Sequence, residues 1–361
     1  MSGSQAPGGN GLEVLPVHGI GDVTPGDDLA ELIRGAAPWL RDGDVLVVTS
    51  KIVSKAEGRL VEVPPDGPER DAARERVLAG ETARVVARRG GTAIVQTHHG
   101  FVMAAAGIDA SNVDKTHLVL LPADPDASAR SLRSALLDRG LDVAVIVSDT
   151  MGRTWRNGLT DVALGAAGIE PFRDHRGELD PYGNELQLTQ IALIDELAAA
   201  GELVKGKMDQ VPVAVVRGCP GIGNGDGPGA AALLRSAAED MFSLGTAEAR
   251  AQGMRDAAVL HDGSQLALPG TPVDPAAVER AVSLVADLVA HGTVIAPAET
   301  MTGNGATAAL HVAAPGNRPA AFMRLGADVH RLRVALAAEG VLSVPLPHED
   351  GIRLDLSGPG A

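Results

Sequence analysis

LDVAVIVSD, residues 141–149, is a run of branched apolar residues that ends in an acid. Such a run reads as a strand buried on both faces rather than as the alternating pattern of a half-exposed one. Three similar stretches accompany it: DVLVVTS (44–50), HLVLLP (117–122) and VPVAVVRG (211–218). Helical spacing of apolar residues fills the intervals at Asp28 to Leu40, Glu69 to Arg89, Asp126 to Arg139 and Glu185 to Ala200, with a further helix at Ala230 to Phe242. The class is therefore mixed α and β. Thr92 to Gln96 and Phe101 to Ala106 flank an HHG turn as a hairpin would, which breaks strict βαβ alternation and predicts a mixed, non-Rossmann sheet.

Composition narrows the class of function. The chain has 361 residues and 45% hydrophobic content, enough for one large domain and a smaller one; a change of character at 245–273 puts the boundary near residue 250. The expected domains are residues 12–249 and a small α/β region, 250–361. A formal charge of −15 argues against sequence-independent binding to nucleic acid or anionic lipid, both of which require surplus Lys and Arg. The single cysteine, Cys219, rules out an intrachain disulfide and reads as a small core side chain. The first residues carry no basic and apolar leader, and no window offers about 18 uninterrupted apolar residues, so a cytoplasmic protein without a membrane span is expected.

The acid that ends the first run opens a second stretch, SDTMGRTWRNGLTD (148–161). Asp149 and Thr150 offer a carboxylate and a hydroxyl at a strand end, where open α/β sheets place ligands, and suit a hard cation such as Mg2+ or Mn2+. Asp109, in the loop GIDASNVD (107–114), is the second acid, with Asn112 three residues on. Were the two carboxylates to approach to about 4 Å, their repulsion of roughly 4 kcal/mol at an effective dielectric of 20 would call for a cation or a shared proton. The bland reading makes both acids turn and capping residues. Arg153 and Arg156 flank Trp155 in what reads as a loop after the strand and suit a phosphate or carboxylate; a solvated loop is the alternative. Tyr182, in DPYGNEL (180–186), stands in a turn read as opening a helix. TSKIVSKAEGR (49–59) brings Ser50, Lys51, Ser54, Lys55 and Arg59 to a strand end without Walker A spacing, and Ile20 to Val23 would add backbone amides. Lys205, Lys207 and Arg217 form a further anion-binding candidate, and His98 and His99 read as exposed turn residues.

In order along the chain, LPVHGIGDV, TSKIVSKAEGRLV, AAAGIDASNV, SDTMGRTWRNGLTD, GAAGI, DPYGNEL, LVKGKMDQVPVAVVRG and LGTAEA resemble the coenzyme F420-0:L-glutamate ligase family, in its actinobacterial form, over residues 15–249. The resemblance implies a GTP-dependent, metal-requiring ligase that adds L-glutamate to coenzyme F420-0 and then further γ-linked glutamates, releasing GDP and phosphate. It implies metal positions at Asp109, Asp149 and Thr150. It implies nucleotide contacts from Ile20, Gly21, Asp22, Val23, Ser50, Lys55 and Asn112, and a covering loop with Lys205, Gly206, Lys207 and Met208. Mg2+ or Mn2+ and K+ are the ions expected, and a homodimer the assembly; Asp149, Arg153 and Arg156 are the catalytic candidates. Lys207 stands where archaeal relatives have a glutamine that helps hold a second metal; an ammonium cannot ligate a cation, so one ion or two stays open. Longer relatives continue into a flavin-binding, nitroreductase-like domain that opens with an Arg-Arg-Phe-Ser type segment. SQLALPGTPVDPAAVERAV lacks those arginines, so FMN is not expected, and residues 250–361 read as a reduced remnant or a dimer-supporting appendage. A nucleotide-binding module or a GTP hydrolase without ligase activity is the other function class.

Overall fold

The computed structural model describes residues 11–111, 113–206, 209–220, 222, 225–236, 238–260, 268–299 and 306–359. The chain divides into two compact units, one through Glu248 and one from Ala249.

The first unit is built on a five-stranded sheet in the order Glu13–Val17, Val213–Arg217, Val45–Thr49, Ala144–Arg153, Arg156–Ala167. Only Val45–Thr49 and Ala144–Arg153 run parallel; the other three pairings are antiparallel. The sheet is thus mixed, as the interrupted alternation predicts. Both its faces are covered, which is why the strands read as continuous apolar runs. Leu46, Val48, Val145, Val147, Val213 and Val215 face the helices Leu29–Ala36 and Pro125–Leu137 through Ile33, Leu132 and Leu136. Val45, Val47, Ala144, Ile146, Ala214 and Val216 face the helix Leu193–Lys205 through Ile194, Leu197 and Ala198. Each strand sends alternate residues to opposite layers, the period-2 geometry of the pleat. Cys219 lies buried in the second layer, as expected.

One close approach fixes a helix against the sheet. A Cβ on Gly165 would fall 2.1 Å from the carbonyl oxygen of Pro125, at the start of Pro125–Leu137. Gly165→Ala must push strand and helix apart, and is expected to cost about 1–3 kcal/mol. A thermal melt checks this: the midpoint falls by several degrees, whereas an unchanged midpoint would mean the contact yields freely.

Four expectations from sequence are corrected. The helix placed at Glu69 to Arg89 spans Gly67–Gly80 only, and Thr82–Arg89 is a strand paired with Thr92–Thr97. Gly80 ends the helix, and the β-branched Thr82, Val85 and Val86 then favour extension. The helix placed at Glu185 to Ala200 begins only at Leu193, because Leu179 bridges to Glu185 and Gln190–Ile191 pairs with Arg173–Asp174. Among the described residues, Ala230 to Phe242 holds only the short 3-10 turn Ala230–Leu233; the Asp126 carboxylate binds the N–H groups of Ala230 and Ala231, and local turns at Glu239 and Phe242 follow. Finally, residues after Asp149 do not leave the sheet. Ala144–Arg153 and Arg156–Ala167 form one long hairpin with Thr154 and Trp155 at its tip. The hairpin at Thr92–Thr97 and Val102–Ala104 is present around the HHG turn.

In the second unit a four-stranded antiparallel sheet, in the order Val294–Pro297, Ala308–Ala313, Gly351–Ser357, Leu342–His348, packs one face on the helices Pro275–Val285 and Pro319–Ala338. Among the described residues, no helix is long and apolar enough to cross a membrane.

Candidate active site

At one end of the five-stranded sheet the chain collects three acids. Asp149 lies beyond Val147 on the strand, so the pleat turns it toward the layer that holds the helix Ser50–Ala56. There the buried Ser50 hydroxyl hydrogen-bonds its carboxylate, as does the N–H of Thr150, at 2.7 Å. Asp109 and Asp161 both press their charge on the same group. Burial above all, then the like charges, raises the Asp149 carboxyl to about 6, although its two hydrogen bonds oppose the shift. Asp149 pairs with no basic side chain among the described residues.

Asp109 follows the turn Ala105–Gly107, whose backbone takes the left-handed conformation at Ala106, and is pinned by reciprocal backbone bonds with Val119. Burial pushes its carboxyl up. The Lys51 ammonium at 2.6 Å and two donors from Ser111 outweigh that and hold it below the usual carboxylate range. Lys51 is thus a cation already seated beside one of the acids.

Thr150 points to the opposite layer, where its register partner is Asp161. The buried Asp161 accepts from the Thr150 hydroxyl at 2.9 Å, from the Ser148 hydroxyl at 2.9 Å and from the Lys205 ammonium at 2.9 Å. Lys205 also donates to Ser148 and stands 3.5 Å from Glu202. With all ionised, Asp109, Asp149, Asp161 and Glu202 stand against Lys51 and Lys205, a net charge of −2 that favours an added cation. The donors are carboxylate and hydroxyl oxygens, the set that suits Mg2+ or Mn2+ rather than a softer ion.

Beside these acids lies a cavity of about 240 Å3, lined by Ile20, Gly21, Asp22, Val23, Lys51, Lys55, Lys205 and Gly206 among others. A second, of about 530 Å3, shares Asp22, Val23, Lys55 and Gln210 with it and reaches Asp114 and His117. Together they fall in the range of about 300–1,000 Å3 typical of ligand pockets. Most of the expected nucleotide residues are therefore gathered in one place. Asn112, Lys207 and Met208 lie outside the described residues.

Other candidates stand elsewhere or are already engaged. Arg153 and Arg156 are register partners at the exposed hairpin tip. Four strand residues separate Asp149 from that tip, about 13 Å at 3.3 Å per residue, so within the chain they are not brought to the acids. Trp155 packs edge-on against Phe242, with ring centroids 4.9 Å apart. Lys205, expected over the nucleotide, directs its charge to Asp161 beneath the site. Arg217 makes a bidentate pair with the buried Asp44 and lies over the Trp39 ring, so it is structural, not an anion site. Tyr182 is 91% exposed in a turn organised by Asp180 and opens no helix. His98 is an exposed turn residue as expected, whereas His99 is half-buried and stacks on Phe101.

Comparison with known proteins agrees with the motif resemblance. Residues 19–218 match the family model described as F420-0:Gamma-glutamyl ligase. The chain is 40% identical over 250 residues to the coenzyme F420:L-glutamate ligase of Methanothermobacter thermautotrophicus, covering 64% of this chain and 99% of the relative. It is 42% identical over 246 residues to that of Methanopyrus kandleri, covering 64% and 97%, and 42% over 248 residues to that of Haloarcula marismortui, covering 64% and 95%.

Proposed function

Because this chain belongs to the F420-0:gamma-glutamyl ligase family, we propose that it joins L-glutamate to coenzyme F420-0 by an amide bond, consuming GTP and working around a divalent cation. The observation that carries the reading is that the cavity lined by Ile20 to Val23 and Lys55 is also lined by Lys51 and Lys205, the cations that pair with Asp109 at 2.6 Å and with Asp161 at 2.9 Å. The backbone amides of Ile20 to Val23 and the Lys55 ammonium are suited to the phosphates of the nucleotide. Asp109, Asp149 and Thr150 would hold Mg2+ or Mn2+, which when bound neutralises charge on the phosphoryl oxygens.

In the reaction so read, a carboxylate oxygen of F420-0 attacks the γ-phosphorus as the bond to the GDP oxygen breaks, leaving an acyl phosphate. The glutamate amine then attacks the acyl carbon; the C–N bond forms, the C–O bond to phosphate breaks, and the amine gives up a proton. Water must be kept from the acyl phosphate while it waits for the amine. Further glutamates would be added through γ-linkages by the same two steps, and a homodimer is the proposed assembly.

Incubation with GTP, Mn2+, glutamate and F420-0, read by mass, tests the proposal. The expected result is a mass gain of one or more glutamates with one GDP for each. GDP without the mass gain would mean a hydrolase, and neither product would mean a binding module. In the same assay Lys55→Ala is expected to raise KM for GTP by about 10–100-fold with a smaller change in kcat, since a charged hydrogen bond of about 1.5–3 kcal/mol is lost in ground and transition state alike. An unchanged KM would take Lys55 out of the nucleotide site.

A further inference from the structure

The second unit carries a cluster that the ligase reaction does not use. His311 lies within the strand Ala308–Ala313, His348 closes Leu342–His348, and Asp350 stands in the turn before Gly351–Ser357. Leu310 and Val312, on either side of His311, are in the helix-covered core, so the imidazole projects from the opposite face. The two rings lie 4.5 Å apart. His311 Nε2 and His348 Nδ1 are each 3.0 Å from the same oxygen of Asp350, and the three side chains each offer one ligand atom within 4.8 Å of the other two.

Hydrogen bonding alone leaves this arrangement incomplete. His311 Nε2 is buried and has no hydrogen-bonded partner among the described residues, because its close contact with Asp350 lacks the alignment. Buried ring nitrogens rarely go unpaired. A tetrahedral ion with bonds of about 2.0–2.1 Å holds its ligand atoms roughly 3.3 Å apart, close to the 3.0 Å that separates each imidazole nitrogen from the Asp350 oxygen. The nearest cation in register, Arg353, is turned to Asp355 at 2.6 Å and leaves the carboxylate of Asp350 to the imidazoles.

We infer that His311, His348 and Asp350 form a metal site of the two-imidazole, one-carboxylate type, which takes a borderline divalent ion such as Zn2+ or Co2+ and leaves the remaining positions to water or a ligand. Imidazole donors separate it from the oxygen-rich site of the first unit, so the two should select different ions.

The test is a Co2+ titration of the full, metal-stripped chain in excess Mg2+, followed by d–d absorption and by displacement with Zn2+. One equivalent of Co2+ with the spectrum of nitrogen ligation is expected in the wild type and in Asp149→Asn. His311→Ala and His348→Ala should each weaken it by at least about 100-fold, since losing a ligand costs no less than losing its supporting partner. His348 is half exposed at a strand end, so its variant keeps the fold, as circular dichroism would show. Absence of a bound equivalent in the wild type, or equal affinity in His348→Ala, overturns the inference.

Discussion

Asp149→Asn is expected to lower glutamate ligation by about 1,000-fold or more while leaving the fold intact. The substitution keeps the shape and the Thr150 N–H contact but removes one of the two carboxylate charges proposed to hold the cation, which would cost several kcal/mol in stabilising the phosphoryl group. Stability should move the other way. In metal-free protein the Asp149 carboxyl sits at about 6, against 3.8 for an ordinary aspartate. The folded state therefore binds the proton more tightly than the unfolded one. The stability tied to that proton is complete below pH 3.8 and is lost as pH rises through 6, by at most about 3 kcal/mol. The amide in the variant does not ionise, so in chelator-treated samples Asp149→Asn should gain on the wild type between about pH 4 and 7, with Mn2+ reversing the order. Full turnover by the variant, or a pH-independent stability difference, would contradict the assignment of Asp149.

Lys205→Met is expected to destabilise the protein by about 3–5 kcal/mol. Lys205 and Asp161 are both about 3% exposed at their side chains and 2.9 Å apart. Removing the ammonium leaves a buried carboxylate with only the hydroxyls of Ser148 and Thr150 to satisfy it, whereas exchanging both partners for neutral groups is often tolerated. Lys205→Met combined with Asp161→Asn should therefore recover most of the stability in a denaturant titration. It should not recover activity, because Asp161 also orients the Thr150 hydroxyl. Additive losses in the double variant would mean that the pair does not act as a unit.

The difference between what the sequence discloses and what it conceals at this site follows from geometry. Asp149 is legible because a buried strand ends on it, and Asp109 because a glycine-led loop presents it; the eight ordered motifs then join the two. Asp161 closes the same stretch of sequence and escapes notice, since the loop reading around Arg153, Trp155 and Arg156 hides the register that sets it opposite Thr150. Reading Thr160 and Val162 as continuations of an apolar, β-branched strand exposes it. Lys51 stands out among its neighbours, but nothing local to TSKIV says that its ammonium reaches Asp109, 58 positions away in the numbering. Lys205 misleads for the converse reason: a basic residue near glycines looks solvent-exposed until the helix Leu193–Lys205 is extended to include it. The helix errors share a cause, for at Arg84 and at Glu185 cross-strand pairing overrides local helical spacing.

The most direct measurement is the anomalous scattering of Mn2+ in crystals grown with a non-hydrolysable GTP analogue. The account predicts a peak within about 2.2 Å of oxygens from both Asp109 and Asp149, with the terminal phosphates of the analogue on its other side and Lys51 displaced from Asp109. A Mn2+ peak that touches neither carboxylate, with the nucleotide bound elsewhere, would contradict it.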